Sequence, residues 1–137
     1  MTMTKTLMIV AELAVINWAL IVTASLIKAK AWKPSGVVAA MGNRDVAEDC
    51  HGFPARTDRA ASNMLENMVL FTALALVASV GGIADPRVEL GARIFFWARI
   101  VYIPLYMVGI PVARTAAWAI SVIGMGLIFA AIVQAMI

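Results

Sequence analysis

The chain has 137 residues, 63% of them apolar and only 14% charged, with a mean hydropathy of +0.90. Soluble domains run nearer roughly half apolar and about a quarter charged, so this composition excludes an ordinary water-soluble globule; it fits one membrane domain, four spans of about 20 residues and one longer loop. The net charge of +3 and pI of about 9.4 do not point to nucleic acid, because the basic residues form no helical stripe and belong to no nucleic-acid motif, and the single cysteine, Cys50, excludes an intrachain disulfide.

Residues 7–27 are apolar apart from Glu12, Asn17 and a few hydroxyls, and Lys28, Lys30 and Lys33 close the run. That pattern predicts the first span. The run is longer than a signal-peptide core of about 7–15 residues and Glu12 interrupts it, so a retained helix is expected and not a cleaved leader. Residues 28–59 then change character: Pro34, Gly36, Gly42, Gly52 and Pro54 alternate with charged residues, which predicts a long loop with at most a turn or two of helix over Val37 to Met41. Cys50-His51 has no further ligands at zinc-like spacing, so no metal is expected.

The second span, residues 60–80, opens on a polar face. Arg59, Asn63 and Glu66 stand at i, i+4 and i+7, and Gly81-Gly82 ends the run. Asp85-Pro86 makes a short turn into the third span, residues 90–110, where Arg99, Tyr102 and Tyr106 at i, i+3 and i+7 form a second polar face and Pro104 predicts a kink. Gly109 to Pro111 makes a tight connection to the fourth span, residues 113–136, which is uncharged beyond Arg114 and offers Gly124 and Gly126 for close helix contact.

Lys28, Lys30, Lys33, Arg44, Arg56, Arg59 and Arg114 fall on the long-loop side of this arrangement, and Lys5, Arg87 and Arg93 on the other. The positive-inside bias therefore predicts a cytoplasmic loop, with both termini on the opposite side of the membrane. At 1.5 Å per residue, Glu66 lies ~10 Å and Arg99 ~16 Å from the cytoplasmic edge, a difference their side chains can span, so an intramembrane ion pair is expected. Glu12 is expected to meet Arg93 or Asn17 near the outer side. Arg59, Asn63, Tyr106 and Arg114 would ring a wet cationic pocket. Interhelical hydrogen bonding alone would account for one such pair, but surplus cations around a cavity point to an anionic ligand.

The run Arg59-Ala60-x-x-Asn63-x-x-Glu66-Asn67, followed by an apolar helix, and Ala98-Arg99-x-x-Tyr102-x-x-x-Tyr106 in the third span resemble the MAPEG superfamily, the membrane-associated proteins in eicosanoid and glutathione metabolism. Gly42-Asn43-Arg44-Asp45 and the stretch Arg99 to Trp118 are similar to its bacterial branch. The resemblance implies an all-α fold, an integral membrane four-helix bundle, assembled as a homotrimer with glutathione held between neighbouring subunits. Arg59, Asn63 and Glu66 match the second-helix positions that hold glutathione, and Arg99, Tyr102 and Tyr106 match the third-helix set. Arg114 matches the arginine that stabilises the thiolate, Thr115 stands where one branch has serine, and Lys28 or Lys30 stands for the basic residue ending the first helix. Ala61 and Ser62 occupy positions where many mammalian members carry His and another basic residue.

What the resemblance implies is a membrane-bound glutathione transferase similar to the microsomal enzymes, acting on lipophilic electrophiles or, as a peroxidase, on lipid hydroperoxides. Glutathione is its co-substrate, membrane lipid its surroundings, and Arg114 with Tyr106 its sulfur-activating pair. Residue chemistry agrees, since a thiol with a pKa near 8.5 is mostly protonated at neutral pH, and a nearby Arg with a donating tyrosine hydroxyl favours the thiolate. Two other classes stand beside it. One is a non-catalytic lipid-binding or scaffold member of the same family; the other is a small multidrug exporter, suggested by Glu12 in the first of four spans and opposed by the long first loop.

Overall fold

A computed structural model describes residues 3–42 and 51–137 and shows five helices in chain order, with no strand among the described residues. They are α1 (Lys5–Lys28), α2 (Pro34–Met41), α3 (Phe53–Val80), α4 (Pro86–Val108) and α5 (Pro111–Met136). All but α2 are long and apolar enough to cross a membrane. Cys50 and most of the Gly42-Asn43-Arg44-Asp45 segment lie outside the described residues.

The helix ends follow local chemistry. Thr4 caps α1 by accepting from the Leu7 N–H at 3.3 Å, and Gly81 ends α3. Asp85 caps α4 by accepting from the Arg87 N–H at 2.8 Å, and Pro86 occupies the first turn. The side-chain bond from the Arg87 guanidinium, together with that backbone bond, holds the Asp85 carboxyl down at about 2. Gly109 ends α4 in the left-handed conformation, φ +89°, a region most residues avoid, and Pro111 starts α5 two residues on. Pro104 does not end α4, which continues through it as one helix.

The largest differences from the sequence reading are three, and one is that α4 starts at Pro86, four residues before the span expected from residue 90, because Asp85 caps it there. Helix α3 begins at Phe53, seven residues earlier than the span expected from residue 60, because Gly52 at the cap and Pro54 in the first turn start a helix there instead of breaking one. The loop also holds α2, a longer helix than the turn or two expected over Val37 to Met41.

In the bundle α1 packs mainly on α3, α3 on α4, and α4 on α5, with lesser α1–α4 and α3–α5 contacts; among the described residues α2 packs on none of the others. Leu13, Met64, Phe71, Phe95 and Ile128 are buried at its centre, where the Phe71 and Phe95 rings stack with centroids 4.1 Å apart. Lipid tails supply no hydrophobic drive between helices, so close approach at small residues matters more. A Cβ on Gly124 would lie 2.6 Å from the Gly91 carbonyl oxygen and 2.9 Å from the Phe95 nitrogen, and one on Gly91 would collide with the Gly124 carbonyl. Gly126, expected to share that role, faces open space.

Polar pairs fix the ends of the bundle. At the terminal side Thr4 meets Ser79 at 3.3 Å, Lys5 meets Glu89 at 3.2 Å, Glu89 also takes Arg93, and Arg87 joins Asp85 to Gln134. At the loop side Lys28 pairs with Asp58 at 3.0 Å, and Arg56 Nε donates to the Met107 carbonyl at 2.9 Å. Neither partner expected for Glu12 is found: Arg93 turns to Glu89, and Glu12 is exposed with no partner among the described residues.

Candidate functional site

The polar face of α3 does not point as a unit into the bundle. At about 100° per residue, Asn63 and Glu66 are separated by roughly 60° around the helix, with Arg59 between them. The buried side of α3 carries Ala60, Met64, Asn67 and Phe71, which brings Asn63 to the α4 seam and leaves Arg59 and Glu66 exposed.

On the facing helix Arg99 is fully buried, 0% exposed. Its Nη1 donates to Asn63 Oδ1 at 3.0 Å, and its guanidinium lies 5.3 Å from the Phe95 ring centroid and 5.0 Å from that of Tyr102. The expected Glu66–Arg99 ion pair is not formed. Matching depth put both residues at one level, but rotation about α3 turns Glu66 away and gives the near position to Asn63. Asn67 braces Asn63 by donating from Nδ2 to its backbone carbonyl at 2.9 Å. Nε and Nη2 of Arg99 have no partner, and no carboxylate among the described residues lies within ion-pair reach of Arg99, Arg114 or Arg59.

Beside this arginine lies a cavity of about 240 Å³ lined by Asn63, Tyr102, Tyr106, Arg114, Thr115 and Trp118. Tyr102 is buried and meets Tyr106 edge-on at 5.4 Å, because i and i+4 on α4 share a face. Across from them, the first turn of α5 places the Arg114 guanidinium 4.5 Å from the Tyr106 ring centroid. A second, apolar groove of about 400 Å³ runs along α5 past Pro111, Val112, Thr115, Ala116 and Ala119, so Thr115 belongs to both. Chemically this is a small polar chamber lined by one arginine and two phenols, with no acid among its lining residues and a second arginine, Arg99, directly behind its wall, and it shares Thr115 with an apolar trough.

Of the residues singled out from sequence, Asn63, Tyr102, Tyr106, Arg114 and Thr115 line the chamber, and Arg99 stands directly behind Asn63 and Tyr102. Arg59 and Glu66 are exposed on α3 outside it, and Lys28 is engaged with Asp58. Sequence reasoning passed over Trp118, although it stands four residues after Arg114 on the same helix face. It also passed over Arg56, taken for a loop residue, whose side chain packs 3.1 Å from where a Cβ on Gly109 would sit and ties the start of α3 to the end of α4.

The sequence matches the model of the MAPEG family over residues 6–134. The chain belongs to that family, and its four apolar helices are those of an integral, multi-pass membrane four-helix bundle. No curated protein matches the chain closely enough to serve as a named relative.

Proposed function

From its place in the MAPEG family, we propose that the chain is a membrane-bound glutathione transferase that joins glutathione to lipophilic electrophiles, with reduction of lipid hydroperoxides the other reaction open to the same thiolate. The observation that carries this reading is the buried guanidinium of Arg99. Two of its nitrogens, Nε and Nη2, have no partner among the described residues, and it stands behind a chamber lined by a second arginine and by no described carboxylate. A buried cation without a countercharge is costly, and an anionic ligand supplies one. Glutathione carries two carboxylates and one ammonium, so it is net negative before its thiol ionises.

In this reading Asn63, Tyr102 and Arg99 hold the peptide. Arg114 and the Tyr106 hydroxyl stabilise the sulfur anion, and the thiol proton leaves to water through the mouth of the chamber. The thiolate displaces a leaving group from an electrophile seated in the apolar trough, forming the C–S bond as the leaving group departs with its electron pair. Thr115 stands where the two spaces meet.

Arg59 and Glu66 support a homotrimer. Charged residues exposed on a spanning helix face lipid at a considerable cost, which a neighbouring copy would remove by covering them, and there Arg59, Glu66 and Lys28 would reach a glutathione held between subunits. The bias of basic residues toward the loop side supports a chamber open to the cytoplasm and termini in the periplasm of a bacterial inner membrane.

The test is a glutathione titration of detergent-purified protein, followed by thiolate absorbance, with turnover of a lipophilic electrophile measured in parallel. Binding with thiolate formation and turnover is expected. Binding without turnover would favour the lipid-binding or scaffold reading, which the apolar trough also suits, and no binding at millimolar glutathione would overturn the proposal.

A further inference from the structure

Among the described residues the eight-residue helix α2 packs on no other helix, yet its backbone is held against the end of α1. A Cβ on Gly36 would collide with the carbonyl oxygens of Ala29 and Lys30, so the backbone of α2 rests directly on the turn that ends α1. The end of a spanning helix lies at the membrane boundary, and this contact holds α2 at the same depth.

The face opposite Gly36 is apolar. At about 100° per residue, Val37, Met41, Pro34 and Val38 fall within an arc of roughly 100°, and all four are exposed, Met41 at 84% and Val38 at 72%. Trp32, just before the helix, is 68% exposed. Lys28, Lys30 and Lys33 flank it, and no acidic residue occurs from Lys28 to Met41. Lys28 meets Asp58, while Lys33 is exposed.

We propose that α2 and the Lys28–Lys33 turn form an interfacial foot that lies in the headgroup region on the long-loop side of the bilayer and gathers anionic phospholipid. An apolar arc and a tryptophan at headgroup depth, bordered by the exposed Lys33, have the chemistry of a helix lying in the membrane plane, its apolar residues reaching the acyl boundary and the Lys33 ammonium meeting a lipid phosphate. Charge complementarity selects the lipid class, since each lysine near an anionic surface contributes about 1 kcal/mol of attraction. Val38 and Lys33, where the foot is tested, neither line the chamber nor belong to the proposed glutathione site, so the inference stands whether or not the chain binds glutathione.

The test uses the full chain in vesicles, carrying Val38→Cys in a Cys50→Ser background and labelled with bimane. Dibrominated phosphatidylglycerol and dibrominated phosphatidylcholine are compared as quenchers at equal mole fraction. Stronger quenching by the glycerol lipid is expected, with that preference reduced about fivefold by Lys33→Gln. Equal quenching by both lipids, or quenching by neither, would overturn the proposal. So would pyrene excimers at the same position that survive dilution with lipid, since a second copy would then cover the face.

Discussion

Arg99 donates to Asn63 Oδ1 at 3.0 Å, and the glutamate one turn further along α3 stays out of reach on the exposed side of that helix. The buried cation therefore depends on a neutral amide for its one direct side-chain hydrogen bond among the described residues. Asn63→Ala should destabilise the protein by about 1.5–3 kcal/mol, the range for hydrogen bonds to charged groups, and Glu66→Gln in the absence of glutathione by much less. Thermal unfolding in detergent measures both. A loss from Glu66→Gln as large as that from Asn63→Ala would restore the ion pair and sink the assignment.

The α4–α5 seam offers a comparison of two glycines on one helix. Gly124→Ala pushes a methyl group against the Gly91 carbonyl and the Phe95 nitrogen, both backbone atoms that can move only if the helices separate, so a loss of about 1–3 kcal/mol is expected. Gly126→Ala meets open space and should be neutral or slightly stabilising, since alanine is the better helix former. Unfolding temperatures in the same detergent distinguish them, and equal effects would mean that the close crossing is absent.

Sidedness has a direct test in the exposed turn between α3 and α4. Ala84→Cys in a Cys50→Ser background should react with a membrane-impermeant maleimide in intact cells, as the charge bias of the sequence requires. Ser35→Cys, on the loop side, should react only after lysis. The opposite pattern would place the chamber mouth in the periplasm.

These expectations divide according to what a sequence encodes locally. The spans, the stop at Gly81 and the Gly109–Pro111 turn are each written in a few adjacent residues and appear in the fold, while Asp85-Pro86, read as a turn before a span from residue 90, starts α4 itself. Position along an axis was legible only to within about a turn, since Arg99, expected level with Glu66, meets Asn63 one turn nearer the loop side. Rotation about the axis was not. Whether Asn63 or Glu66 faces α4 depends on which side of α3 is taken up by α1, and that contact joins residues far apart in the chain. The same limit hid Arg56, whose partner is a backbone carbonyl of α4, and made Gly126 look equivalent to Gly124. Lys28 was placed in the site by analogy with the family, and within one chain its ammonium meets Asp58 instead.

Arg114 carries the sharpest catalytic expectation. It lies in the first turn of α5 over the Tyr106 ring, with no carboxylate among the described residues near enough to neutralise it, so its charge is available to a ligand in the chamber. If it stabilises a sulfur anion, Arg114→Ala removes a charge-assisted interaction of about 1.5–3 kcal/mol, and thiolate formation should fall roughly ten- to a hundredfold while glutathione binding weakens less. Tyr106→Phe keeps the ring under the guanidinium and deletes only the hydroxyl, so its effect should be in the same direction and smaller. Arg59→Ala should do the reverse, because an arginine outside the chamber, reaching the ligand from a subunit boundary, would meet a carboxylate and not the sulfur. Thiolate absorbance at saturating glutathione separates ionisation from affinity, and a pH series should move the apparent thiol pKa upward in Arg114→Ala. An unchanged pKa in that variant, with wild-type turnover, would remove Arg114 from the chemistry and leave the chamber a binding site for some other anion.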